Sequence, residues 1–525
     1  MNWLIFCHDF KDYLNLFKNF KNKKIISNHF FFIKKKDDLE KIKRNFKNSY
    51  VYFQEFSNSI PEFEDYILDD STIKKFIESE ILFYQSIDYY EFPGNYFSSK
   101  DLRSTYYYYI NNIILFIKKN KIKNIFFTHT PHTLVEILFL SVAKNLNVKT
   151  IFRRGLSIPD FYTYESEIYD YKFKFNKRFN QNKISKNLKY FKKNYSKKFN
   201  LINSPKSKWL DYSLIKNYKK FNNLINVVFT YFNLIFTVRF LYRLLGVTLK
   251  SLYYLTFFYK KKNIFFKYFF LEDTLPKYDK IFYKSKSSRF YFEKIIFNGH
   301  IQKNKLLKIY FNLSKKPNIK NKYIFFPLWF QPSSTLHPFA GRMVDYEIAI
   351  KMLSRSSPKD FKIYVKESPD IFNLASRSWF KGHFTRREKF YTEISNLHNV
   401  ELINYDIDDS LLVDNSSALA TLCDKFNLIA LVKKKPNICF SETITSGFKN
   451  TFICKNKKNI NIFFKKLRQG DFEIDDLEVK NYFVWLSDNS FFSKLNLGFN
   501  NYEPKQNYKK TSFLLERIIK KVVNE

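Results

Sequence analysis

The apolar positions of this chain recur in two registers. Short runs with few charges, bounded by turn residues, sit at 50–56 (YVYFQEF), 124–128 (NIFFT), 148–152, 322–327 (KYIFFP), 361–366 (FKIYVK), 400–404, 417–422 and 437–440. Their length and β-branched or aromatic content predict buried strands. Between them, apolar residues return every three or four positions. That spacing predicts helices over 71–87, 101–119, 134–146, 344–353, 387–397, 407–413 and 426–433, with an amphipathic helix at 512–523. Strand 124–128, the turn His129-Thr130-Pro131-His132, helix 134–146 and strand 148–152 form one βαβ unit, which requires a parallel sheet. Five strands separated by helices between 322 and 440 read as a doubly wound sheet, with 437–440 as its last strand. The expected organisation is an N-terminal α/β lobe over 1–155, a middle region over 156–320, a C-terminal α/β lobe over 321–455 and a helical tail over 456–525.

The middle region departs from this pattern in its charge. The whole chain of 525 residues has a formal net charge of +41. Residues 171–271 hold 23 Lys or Arg and one acidic residue, Asp211, so this fifth of the chain supplies about half of the excess. Such a segment suits a polyanionic partner. Within it, 221–238 is 18 residues without a charge, followed by Arg239, Arg243 and Lys250 among apolar neighbours. Eighteen residues is the lower edge for crossing a bilayer, and Asn222, Asn223, Asn226 and Asn233 weaken that reading. A helix lying in a membrane interface and an ordinary buried helix fit the same residues. Apolar residues at 45% and charged residues at 26% are globular values and exclude wholesale disorder. Aromatic residues at 20%, against only 9 Gly, point to A+T-rich coding drift, which discounts composition but not the clustering of charge. The four Cys residues form no CxxC pair and no His has zinc-finger spacing, so neither a disulfide scaffold nor a structural metal is expected. The N-terminus has no basic leader and meets Asp9 after a short apolar run, so a cytoplasmic location is expected.

Ligands of doubly wound sheets bind beyond the carboxyl ends of the strands, so the loops there are the places to look for chemistry. After strand 322–327 the chain reads LWFQPSSTLHPFAGRMVD, with two prolines, a glycine and several hydroxyls ahead of a helix. Helix N-termini favour anions, and Arg342 could clamp a phosphate with two donors. A plain strand-to-helix loop with Asp345 near the cap accounts for the same residues. After strand 361–366, Lys366 and Glu367 stand side by side, as a phosphate ligand and a base, or as a solvated charge pair. On this reading both are partly exposed and matter more for turnover than for folding. His132 lies beyond an N-terminal strand and suits a general base, or a cap. Asp406, Asp408, Asp409 and Asp414 read as a helix start and solvated face.

The stretch FPLWFQPSSTLHPFAGRMVD followed by YVKESP resembles the capsular polysaccharide biosynthesis family of bacterial surface-glycan enzymes. Gln331, Pro332, Thr335, Pro338, Gly341 and Asp345 match its pattern FPL-x-x-QPE-x-T-x-x-P-x-x-G-x-x-x-D-Q, and Tyr364, Val365, Lys366, Glu367 and Pro369 match its YVKEHP. The turn FTHTPH, with Ala143 and Lys144 in the next helix, is similar to the family's N-terminal PH turn. The resemblance covers 124–155 and 322–445. It implies two Rossmann-like lobes of GT-B type and a sugar transfer from a nucleotide-sugar donor to a glycan or lipid-linked acceptor. It further implies donor or phosphate binding by Gln331, Thr335, Gly341, Arg342, Lys366, Ser368, Ser416 and Ser417, with His132 and Glu367 catalytic. No metal and no cofactor beyond the donor substrate is implied. The chain departs from the pattern at Ser333, Tyr346 and Ser368, where the family has Glu, Gln and His. It also lacks the Gly-rich turn before helix 426–433, and Ile429 stands where the family has an acidic residue.

Three readings follow. One is a transferase working at the anionic inner face of the cytoplasmic membrane, where the basic middle meets lipid. Another is a catalytically degenerate member of the same machinery. The last is a nucleic-acid-binding protein, suggested by aromatics among lysines, although no nucleic-acid module is visible and no nucleic acid is the expected partner.

Overall fold

A computed structural model describes residues 2–7, 28–33, 36–46, 49–53, 68–86, 99–132, 134–155, 161–166, 305–329, 331, 340–368, 386–387, 389–422, 424–443, 445–472, 490–492 and 513–520, with single positions elsewhere. Nearly all of the basic middle, including 221–238, lies outside the described residues, as do positions 332–339 and 369–385.

The N-terminal lobe is a seven-stranded sheet in the order β13-β6-β5-β4-β1-β2-β3. Its strands are β1 (Asn2–Cys7), β2 (Asn28–Ile33), β3 (Tyr50–Phe53), β4 (Ile122–Phe127), β5 (Lys149–Gly155), β6 (Phe161–Glu165) and β13 (Phe491–Phe492). β1 to β5 pair in parallel, and β6 and β13 close one edge antiparallel. The helices are α1 (Lys36–Asn45), α2 (Asp70–Ser86), α3 (Ser99–Lys119) and α4 (Leu134–Asn145). Trp3–Cys7 of β1 and Phe30–Ile33 of β2 are unbroken apolar runs buried on both faces, which carry no period by which a sequence reading could assign them.

Aromatic rings fill this core. The Phe6 ring stacks on Phe32 and Phe127 at 4.9 and 4.8 Å and meets Phe139 edge-on at 5.0 Å. These four come from β1, β2, β4 and α4, so the rings bind the sheet to its covering helix. Offset and edge-on contacts at these separations add about 0.5–1.5 kcal/mol per pair beyond burial. The high Phe content is therefore structural here.

The C-terminal lobe is a six-stranded sheet, parallel throughout, in the order β12-β11-β10-β7-β8-β9. Its strands are β7 (Tyr323–Pro327), β8 (Lys362–Lys366), β9 (Val400–Leu402), β10 (Ala418–Thr421), β11 (Asn437–Cys439) and β12 (Thr451–Ile453). Its helices are α5 (Tyr346–Ser356), α6 (Phe390–Ser395), α7 (Asp409–Asn415), α8 (Asp424–Val432) and α9 (Lys457–Gln469). The expectation that 437–440 is the last strand is corrected: β12 follows it and pairs with β11. Three residues with one buried side chain are too short for a periodic signal. The chain thus forms two α/β units built on parallel sheets, as the alternating pattern implied.

Two features tie the halves together. α2 of the first lobe touches the 3₁₀ turn Gly341–Val344 of the second. The chain also returns: β13 extends the first sheet beside β6, and Leu514, Leu515 and Ile519 from helix 513–520 are buried in the first lobe's core with Trp3, Ile5 and Phe31. Among the described residues no helix is long and apolar enough to cross a membrane.

Candidate functional site

The C-terminal site begins where β7 and β8 end side by side, Pro327 registered with Lys366. Leu328 N continues the ladder to Lys366 O at 2.8 Å, and Trp329 N then donates to the Tyr346 hydroxyl at 2.9 Å. The next turn is right for a helix start. Gly341 opens the 3₁₀ turn at φ 52°, a left-handed conformation that costs a residue with a Cβ. Asp345 then caps α5 by accepting from Glu347 N at 3.0 Å.

Under these loops lies a buried ion pair. Arg386 Nε donates to Glu367 Oε2 at 2.7 Å, and Nη2 donates to Glu367 Oε1 at 3.1 Å and to Trp329 O at 3.2 Å. Arg386 Nη1 donates to Gln331 Oε1, whose amide in turn donates to Val344 O at 2.7 Å. The guanidinium lies over the Tyr346 and Phe390 rings, at 5.0 and 5.2 Å. Glu367 also accepts from the Tyr391 hydroxyl at 2.7 Å and from Ser368 N at 2.8 Å. Burial alone would lower the Arg386 pKa, but Glu367 beside it raises it above its ordinary value. Burial, with Glu367 beside it, raises Tyr391 well above the usual phenol value. The network therefore ties the Arg386 guanidinium to both oxygens of Glu367.

Lys366 turns the other way, towards the loop ahead of α7. Its ammonium donates to Ile407 O at 2.5 Å and to Asp409 Oδ1 at 2.6 Å. Asp408 caps α7 through Ser410 N, and Asp414 pairs with Lys433. Three of the four aspartates thus have local structural partners.

The expectation that Lys366 and Glu367 are partly exposed is overturned: they are 5% and 1% accessible. The physical reason is the partners. A carboxylate taking four donors and an ammonium held by a carboxylate can be buried, because their lone pairs and protons are satisfied. Gln331 and Ser368 are buried beside them. Glu367 has its acceptor sites filled from within the lobe, which is the arrangement of an anchor for Arg386. Ser416 and Ser417 are not brought to this site. They precede β10, and Ser417 N bonds Tyr323 O at the start of β7, which is the amino edge of the sheet. In a parallel sheet the amino and carboxyl ends of strands face opposite ways, so a residue ahead of a strand misses the crevice. Thr335 and the Arg342 side chain lie outside the described residues. Arg386 and Tyr391 went unread in the sequence. Both lie on the far side of 369–385, and only the pairing of a strand-end Glu with some cation hinted at them.

The N-terminal site sits beyond the carboxyl end of β4. The Thr130 hydroxyl donates to Arg153 O at 3.0 Å, fixing the turn against β5. His132 Nδ1 is 2.7 Å from Thr130 O. A carbonyl only accepts, so Nδ1 carries the proton of this bond. Glu136, in the first turn of α4 and fully buried, accepts from His132 N at 3.0 Å. His129 Nε2 is 2.7 Å from the other Glu136 oxygen, and the two imidazoles meet edge-on at 5.3 Å. Of these, sequence reading singled out His132 and left out Glu136, whose signal was the spacing His-x-x-His-x-x-x-Glu across a strand end and a helix start.

No family description and no curated protein matches the chain. Among solved structures, it is similar to a UDP-GlcNAc 2-epimerase from Neisseria meningitidis bound to UDP-GlcNAc, at 10% identity over 100% of both chains with a TM-score of 0.24. It is similar to the UDP-GlcNAc 2-epimerase of Methanocaldococcus jannaschii, at 9% identity over 93% of this chain and 99% of that one, with a TM-score of 0.24. A glycosyltransferase from Rickettsia africae ESF-5 is similar at 10% identity over 99% and 98%, with a TM-score of 0.25. The α/β class of this chain rests on its own strand order, two parallel sheets with helices between the strands.

Proposed function

We propose that the chain is a glycosyltransferase of bacterial surface-polysaccharide assembly. It takes a sugar from a nucleotide-sugar donor and passes it to a glycan or lipid-linked acceptor. One observation carries this reading. Gln331 and Glu367, just beyond the ends of β7 and β8, are joined through Arg386 at the edge where doubly wound sheets take ligands. A buried, fully bonded pair at that edge is what a binding crevice needs in order to hold its donors in place. His132 serves as the base for the acceptor hydroxyl: it stands beyond the carboxyl end of β4, partly exposed, with its ring held by Thr130 O. The anionic inner face of the cytoplasmic membrane supplies the acceptor, and the basic residues of 171–271 hold the protein to it.

The test is a thermal-shift screen against UDP-, CMP- and GDP-sugars. A ligand that binds the folded state at 100 times its Kd adds about 2.7 kcal/mol of stability and raises the midpoint. His132→Ala should keep donor binding and lose transfer. If none of these nucleotide sugars moves the midpoint, the reading fails.

A second reading, a degenerate member of the same machinery, is favoured by Ile429. Where the family resemblance expects an acid, this side chain is packed in the apolar core with Leu428, Phe426 and Tyr323. Donor binding with no turnover by the unaltered chain would select it.

A further inference from the structure

We infer that His129, His132 and Glu136 form a binding site for one divalent transition-metal ion of the zinc class. Each offers a ligand atom, and the three atoms lie within 4.8 Å of one another. Metal–ligand bonds of about 2.0–2.2 Å on a tetrahedron put ligand atoms about 3.3 Å apart, so the trio needs only a small closure. Two imidazoles and one carboxylate are a donor set that zinc takes with its fourth position open.

The surroundings are already those of a metal site. A ligating imidazole ordinarily donates its second ring N–H to a carbonyl or carboxylate, which sets its tautomer and its aim. The His132 ring is held in this way, with Nδ1 2.7 Å from Thr130 O and 4.0 Å from Glu136 Oε2, and Thr130 is itself tied to Arg153 O. Glu136 Oε2 is held by His132 N at 3.0 Å, and its other oxygen lies 2.7 Å from His129 Nε2. Exposure rises across the trio, from 0% at Glu136 through 14% at His129 to 28% at His132, so the site has a closed floor and an open mouth. Binding to His129 Nε2 uses the tautomer protonated at Nδ1.

One consequence rests on the role proposed for His132. A metal ion held by the His132 ring competes there with the acceptor proton, so the ion inhibits transfer in proportion to its occupancy.

The full-length chain, stripped with a chelator and dialysed, is titrated with Co²⁺ as the probe. The visible absorption of four-coordinate cobalt is followed, and bound Zn²⁺ is counted by elemental analysis. One ion per chain is expected. His129→Ala and Glu136→Gln should each weaken cobalt binding by more than about 100-fold, beyond the 10–100-fold typical of an outer-shell partner. His398→Ala, at an exposed position elsewhere, should leave it unchanged. Circular dichroism establishes that each variant is folded, and His132→Ala replaces any that is not. No absorption, or equal absorption in the wild type and the trio variants, overturns the site. Cobalt bound at the trio with transfer unimpaired keeps the site and removes His132 as the base. Transfer intact in a chain that takes up no cobalt does the reverse.

Discussion

Arg386 and Glu367 form a pair in which neither charge can return to water without its partner. Removing one side of such a buried pair ordinarily costs about 3–5 kcal/mol, because the other is left uncompensated. Arg386→Ala and Glu367→Ala should each lower the urea midpoint by a corresponding amount, as should Lys366→Ala, which strands Asp409. Equilibrium unfolding followed by circular dichroism checks this, and midpoints within about 0.5 kcal/mol of wild type would show the pairs to be exposed after all. The Lys-Glu pair was legible as a motif but not as a buried one. Strand periodicity places Glu367 at a strand end, where solvent is the default. What closes over it is Arg386, reached across 17 undescribed positions, and no local pattern in the sequence announces that contact. Ser416 and Ser417 were misplaced for a simpler reason. A pair of hydroxyls looks the same on either side of a strand, and only the strand's direction decides which edge it serves.

At the scale of elements, α5 depends on its first turn. Asp345 caps it, so Asp345→Ala should destabilise the lobe by about 1 kcal/mol in the same assay. Glu347, in the same first turn, binds Lys351 at 2.5 Å and also accepts from Arg387. Burial pushes its carboxyl up, but the hydrogen bonds from Arg387 and Lys351 outweigh it and bring the pKa from 4.5 down to about 2. A group depressed in the folded state stabilises above its unfolded pKa and loses that contribution as pH falls through the folded one. Stability should therefore decline between about pH 4.5 and 2, and Glu347→Gln should remove that part of the slope. Thermal midpoints of both proteins between pH 6 and pH 2, run as a series, test this; parallel curves would rule it out. The helices were the most readable elements, α5 included, because a buried stripe such as Tyr346, Ile350 and Leu353 repeats over several turns. β12, with three residues, had no room to repeat anything.

For the whole molecule, the strand-helix alternation was enough to specify two parallel-sheet units, but not how the chain connects them. The tail's amphipathic pattern promised a helix without naming the surface it covers. Leu514, Leu515 and Ile519 turn out to serve the first lobe. Ending the chain at residue 489 should therefore expose that core. A truncated protein is expected to melt in two steps, with the first lobe lowered and the second unchanged; a single unaltered transition would contradict this. The basic segment makes a separate prediction at this scale. Binding to anionic vesicles should weaken as salt shortens the Debye length below about 8 Å, leaving a salt-resistant remainder from its apolar residues. Equal binding to neutral vesicles would remove the electrostatic part.

The returning tail also bears on how the protein is made. A ribosome delivers β1 to β6 first, then more than 300 further residues before Phe491, Phe492 and helix 513–520 emerge. During that interval the edge of β6 lacks its partner β13, and the core around Trp3 and Phe31 lacks the side chains of helix 513–520. The second lobe, whose described core residues lie between Leu306 and Trp485, can close while synthesis continues. Although it leaves the ribosome first, the N-terminal half is thus the last to mature. An uncovered strand edge invites pairing with other chains for as long as it waits.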